Sequence, residues 1–151
     1  MGKPLSVAAA APLVAACGDG ATGPEPALEL VGPNVWNITV APMTGADICY
    51  YHWVIQMVGP TGSYADLLDG TIVLLSGGIS TPGDTIYGWT SESIKPLFGG
   101  SARITQGERR ESNSYATSGS DMKPFQARVT FRYRVDGKSI KEVSQDMSCS
   151  R

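Results

Sequence analysis

The sequence predicts an all-β chain folded as a single antiparallel β-sandwich of about seven strands. Three observations carry that expectation. Residues Phe125 to Val135 alternate apolar and polar side chains, as do those from Asp47 to Val58, and a two-residue period marks a strand with one face in a core and one in water. Turn formers separate the apolar runs, 18 Gly and 10 Pro in all, which suits short strands joined by tight connections. A length of 151 residues is that of one domain with one core.

The chain opens with a single positive charge in Met1 to Lys3, followed by a mostly apolar run from Pro4 to Ala16. That run is too short to span a bilayer as a helix and has the proportions of the apolar region of a signal peptide. It ends Leu13-Val14-Ala15-Ala16-Cys17-Gly18, an aliphatic residue, small residues and a cysteine, which resembles the lipobox of bacterial lipoproteins. The resemblance covers only the leader. It implies cleavage before Cys17, acyl chains on that residue, and a membrane anchor; two or three such chains hold a protein on a bilayer where one is marginal. Gly18 after the cysteine implies the outer membrane if the cell is Gram-negative. Residues 1–16 are therefore expected to be a signal peptide, and 17–33 the lipidated cysteine and a flexible tether. The segment GDGATGPEPALELVGP is rich in Gly and Pro and shows no sustained apolar face.

Residues 34–151 are expected to form the sandwich. Trp36, Ile38 and Val40 suggest a first strand. From Asp47 to Val58 the odd positions Cys49, Tyr51, Trp53, Ile55 and Met57 make one apolar face, a central-strand pattern. Tyr64 to Leu68 and Thr71 to Leu75 flank Asp69-Gly70, a dipeptide that suits a two-residue hairpin turn. Thr85 to Thr90 reads as a strand, Ser91 to Leu97 as one helical turn, and Ala102 to Gln106 and Ser112 to Thr117 as two further strands. In the last hairpin, Phe125, Ala127, Val129, Phe131, Tyr133 and Val135 face a core, and Asp136-Gly137 turns the chain back. A two-residue turn there would need a bulge near Lys141 or Glu142 to return Val143, Met147 and Cys149 to the core. This architecture is broadly similar to immunoglobulin and fibronectin type III modules. Trp53 departs from the immunoglobulin pattern by following Cys49 on the same run.

With lipid on Cys17, the remaining cysteines form an even pair, and export favours a disulfide between Cys49 and Cys149. The chemistry-bearing residues are few. His52 is the only histidine, no Gly-x-Ser-x-Gly elbow surrounds Ser80 or Ser101, and Asp66, Asp69 and Asp84 read as turn residues rather than paired carboxylates. No phosphate loop, metal-binding spacing or cofactor motif stands out. The expectation is a non-enzymatic protein with no cofactor, no metal and no nucleic-acid partner.

Charge is divided unevenly. Residues 17–99 carry eight acids against Lys95, whereas residues 100–151 carry ten Lys or Arg against six acids. Arg128, Arg132 and Arg134 share the wet face of the last hairpin and form the candidate binding face, near which Arg103, Arg109 and Arg110 are expected. They would meet acidic envelope polymer, lipid phosphates or an acidic protein. The plainer role is pairing with acids of neighbouring strands. Tyr87 and Trp89 would make a sugar-stacking platform if exposed, although strand aromatics usually enter the core. The leading functional expectation is a binding or structural module held at the cell envelope, with a protein or glycan partner. An envelope assembly or chaperone-like accessory is the alternative, and a small hydrolase is disfavoured.

Overall fold

The computed structural model describes residues 23–31, 38–40, 47–78, 80–112, 115–119 and 123–150. The leader, Cys17 and Trp36 lie outside them. Strands β1 (Ala27–Leu30), β2 (Ile38–Val40), β3 (Asp47–Tyr51) and β4 (Val54–Val58) come first, followed by the long β5 (Tyr64–Gly77) and β6 (Thr85–Trp89). A single turn of helix, α1 (Ile94–Leu97), precedes β7 (Arg103–Thr105), β8 (Arg109–Glu111), β9 (Tyr115–Gly119), β10 (Phe125–Val135) and β11 (Ser139–Cys149). All strand pairings are antiparallel, and the architecture is all-β and sandwich-like.

The main sheet runs in the order β11-β10-β5-β6, with β7 also on β5; β1-β4-β8 and β2-β3-β9 form two smaller sheets. β10 lies at its centre because its odd positions are all apolar. Phe125, Ala127, Val129, Phe131, Tyr133 and Val135 are all buried. One apolar cluster joins this face to Leu28, Ile55 and Met57 of the β1-β4-β8 sheet, so the two layers share a core. Burial of each large side chain there contributes about 1.5 to 3 kcal/mol. At its centre Trp53 meets Trp89 and Phe131 edge-on, with ring centroids 5.4 and 5.7 Å apart, the geometry that aromatic quadrupoles favour. Its indole N–H donates to Met147 Sδ at 3.3 Å.

Several boundaries differ from the sequence expectation. The chain does not turn at Asp69-Gly70: β5 continues through it, with register shifts on β5 where Leu68 and Leu75 fall. The shift at Leu68 moves the inward positions from Ala65 and Leu67 to Gly70, Ile72 and Leu74, a change of phase that mimics a turn in sequence. The expected single strand from Asp47 to Val58 is two. β3 and β4 belong to different sheets and break at His52-Trp53, where Trp53 N–H donates to Ser112 Oγ at 2.9 Å. Ala27–Leu30, placed in the tether on composition, forms β1 beside β4, with Leu28 buried. The β10–β11 connection is also one residue longer than expected. Ser139 rather than Lys138 stands opposite Val135, so Val143, Met147 and Cys149 reach the inner face without a bulge. Asp136 and Gly137 take positive φ of 48° and 70° in that turn, a conformation Gly and Asp tolerate. Counting β1, β8 and the two halves of the Asp47–Val58 run, the strands number more than the seven or so expected.

Candidate functional site

The candidate binding face is the outer surface of the main sheet, and the alternation of β10 creates it. With the odd side chains inside, Gln126, Arg128, Thr130, Arg132 and Arg134 must point out. Register then decides what each meets. Arg128 lies opposite Asp146 on β11, Arg132 between Asp69 and Glu142, and Arg134 between Asp66 and Ile140.

Two of the three arginines are held by carboxylates. Arg128 grips Asp146 through Nε and a terminal nitrogen at 2.5 and 2.9 Å. Arg132 donates in the same two-point fashion to Asp69, with Nε to Oδ1 at 2.8 Å. These hydrogen bonds hold both guanidinium groups above their ordinary pKa, and Arg128 in turn holds the Asp146 carboxyl below its own. Between those rows the Thr130 and Ser144 hydroxyls meet at 2.8 Å. The face is thus laced with opposite charges: basic β10 is sandwiched between acids from β5 and β11, and the pairs Arg132–Asp69 and Arg103–Asp66 join the basic half of the chain to the acidic one.

Arg134 differs. Its cross-strand neighbour Asp66 is taken by Arg103 on β7, at 2.8 and 3.0 Å, and Arg103 also stacks 4.1 Å above the Tyr64 ring. No carboxylate pairs with Arg134 among the described residues. Arg109 and Arg110, expected near this patch, sit instead on β8 in the opposite layer, where Arg110 bonds Glu108 and the Ser101 carbonyl. Burial pushes the Glu108 carboxyl up, but the N–H and hydroxyl of Thr105 together with Arg110 outweigh it and hold the group below its usual range.

Beside Arg132 lies an open groove of about 760 Å³, lined by Asp69, Thr71, Gly88, Trp89, Thr90 and Ser91 among others. It is no two-ring platform, because Trp89 is 5% exposed and only Tyr87 reaches solvent. His52 Nε2 stands 3.6 Å from a Glu111 carboxylate oxygen. Of the three aspartates, only Asp84 acts as a turn residue, its carboxylate accepting from Thr81 N–H at 2.9 Å. Among the described residues no cluster of three or more His, Cys, Asp or Glu is arranged to hold a metal ion.

Cys49 and Cys149 form a disulfide, with Cα atoms 6.5 Å apart and both side chains buried. The bond fastens the β2-β3-β9 sheet to the main sheet. A contact without any local sequence signal is equally structural: Lys141 on β11 donates to Glu25 and to the Pro26 carbonyl, 115 or more residues away, and draws the Glu25 carboxyl below its usual pKa. No protein-family pattern matches this chain, and no characterised protein is detectably similar to it in sequence.

Proposed function

We propose that the protein is an exported lipoprotein, anchored through acylated Cys17, whose β-sandwich serves as a non-enzymatic binding or structural module at the cell envelope. The observation that carries this reading is the assignment of the three cysteines. Cys49 and Cys149 are consumed by a buried disulfide, a bond that persists in oxidising compartments. The third, Cys17, stands at the lipobox-like Leu13-Val14-Ala15-Ala16. Oxidation inside the fold and a lipidation sequence outside it both belong to an exported protein. The ion-paired sheet face, on which Arg134 has no carboxylate partner among the described residues, is the surface for a protein or glycan partner.

The test is expression of the whole chain in a bacterial host fed an alkyne-bearing fatty acid. The expected product begins at Cys17, carries the acyl mass, and sediments with membranes, whereas Cys17→Ser loses the label and the sedimentation. A mature protein with an unmodified Cys17, or with residues 1–16 still attached, refutes the proposal.

One observation favours the second reading, an envelope assembly or chaperone-like accessory. Among the described strands, β6 pairs with β5 alone, and its sequence TIYGW carries no charge; a register shift at Ile86 interrupts the edge, but no charged side chain guards it against strand addition. Thr85→Lys, at an exposed position of that strand, should abolish capture of unfolded envelope proteins in a crosslinking pull-down; equal capture by both forms counts against this reading.

A further inference from the structure

The sandwich has two chemically different ends. At one, Val135 lies opposite both Ala65 and Ser139. The turns before β5 and after β10 meet there, since Asp136 N–H donates to the Tyr64 carbonyl at 3.0 Å and Tyr64 N–H to Asp136 Oδ1 at 2.9 Å. At the other end Phe125 lies opposite Gly77 and Cys149. The chain enters the fold at the first end, because Ala27 pairs with Val58, just before the turn that leads into β5. That entry is fastened. Lys141 holds Glu25 and the Pro26 carbonyl, and a Cβ on Gly59 would come within 2.9 Å of Pro26 Cα.

Fastening at Glu25 limits how far the domain can stand from Cys17. Glu25 lies eight positions after Cys17, a span of at most about 29 Å fully extended and of about 16 Å as a coil. The surface beside the entry point therefore faces whatever holds Cys17. It carries Ile140, 55% exposed, directly across the strand pair from Arg134. Arg134 and the neighbouring exposed Lys138 have no carboxylate partner among the described residues. Of the acids at this end, Glu25 is paired with Lys141 and Asp66 with Arg103, Asp136 accepts from Tyr64 N–H, and Glu142 lies across the strand pair from Arg132. An exposed apolar side chain flanked by free cations suits the boundary of an anionic bilayer, where the first enters the acyl edge and the others meet phosphates.

We infer that this end of the domain, centred on Ile140 and Lys138, rests on the surface of the lipid bilayer that holds the anchor, and that the end bearing Cys149 points away from it. The inference rests on acylation of Cys17. Its test uses the acylated whole chain in vesicles of phosphatidylethanolamine and phosphatidylglycerol containing a phospholipid with a headgroup diazirine. After illumination, cross-links are mapped by peptide mass spectrometry, and the acyl mass is read in the same sample. Cross-links should fall on residues 136–141 and 59–62 in several-fold excess over residues 80–84 and 123–125. The double variant Ile140→Asp, Lys138→Glu should lower that yield several-fold with vesicle retention unchanged, while Lys123→Glu at the far end leaves it as it was. Both altered side chains are exposed, and an unchanged urea midpoint will show that the fold survives. An acylated protein with equal yields at the two ends, or an unaffected double variant, overturns this orientation and leaves the anchor standing. A bare Cys17 overturns both.

Discussion

At the scale of single residues, two glycines in one strand pair do opposite things. Gly70 is buried and its φ is not positive, so its role is space rather than backbone freedom: an added Cβ would lie 2.6 Å from the Phe131 ring. Gly88, on the neighbouring strand, would meet nothing closer than the Gly70 carbonyl oxygen at 3.9 Å. Gly70→Ala is therefore expected to cost about 1 to 3 kcal/mol by overpacking, and Gly88→Ala to stay within about 0.5 kcal/mol, both read from urea unfolding. The arginines divide in the same way. Arg132→Glu sets a third carboxylate beside Asp69 and Glu142 and should lower the urea midpoint, whereas Arg134→Gln should leave it unchanged. Binding to envelope fractions separates their roles further, since only loss on Arg134→Gln reports a recognition surface rather than a damaged fold. The sequence displayed all three arginines on one face and made pairing with acids of neighbouring strands their plainer role; it did not show which acids, and Asp69 in particular read as a turn.

At the scale of elements, the β10–β11 hairpin was legible almost residue for residue, since an unbroken alternation leaves a single way to bury one face. Its register was not. A one-residue difference in turn length moves every partner, and that difference lies in the backbone of Asp136 to Lys138. The disulfide hangs on this register, as Cys149 reaches the inner face without a bulge because Ser139 stands opposite Val135. It closes a loop of 100 residues, for which the chain-entropy model gives about 4.7 kcal/mol. Paired replacement of Cys49 and Cys149 by Ala should accordingly cost about 2 to 5 kcal/mol, measured against the oxidised protein under identical buffer. The carboxylates of Glu25, Glu108 and Asp146 all lie below their ordinary pKa. Each then binds protons less readily in the folded chain than in the unfolded one. Stability is expected to be fully present above the ordinary carboxylate range and to fall as pH drops through the lowered values. Glu108→Gln should flatten that acid limb in urea midpoints recorded from neutral pH downward; a limb of unchanged slope would show that Glu108 contributes nothing to it.

At the scale of the whole molecule, long-range contacts reassign segments that look local. Ala27–Leu30 reads as tether because two leucines are too few to announce a strand, yet β4 supplies partners and Leu28 enters the common core. The run from Asp47 to Val58 reads as one strand because alternation continues across His52 and Trp53, while the chain passes from one sheet to another. Trp53 is the reason the passage holds: it is fully buried against Trp89 and Phe131. Trp53→Ala should cost about 3 to 5 kcal/mol and, by loosening both layers together, should still unfold in one transition when fluorescence and circular dichroism are compared. Separate transitions would mean that the layers do not share a core.

Fold class, the helical turn and the identity of the inward face of β10 follow from the sequence, because period and turn chemistry act over neighbouring residues, and the pairing of Cys49 with Cys149 was expected only through the lipobox resemblance that sets Cys17 aside. Which strands are neighbours, which arginine keeps its charge free, why Gly70 must be glycine, and where the chain from Cys17 enters the domain are decided only in three dimensions. Each depends on residues dozens of positions apart, whose meeting is set by how a single core fills both layers.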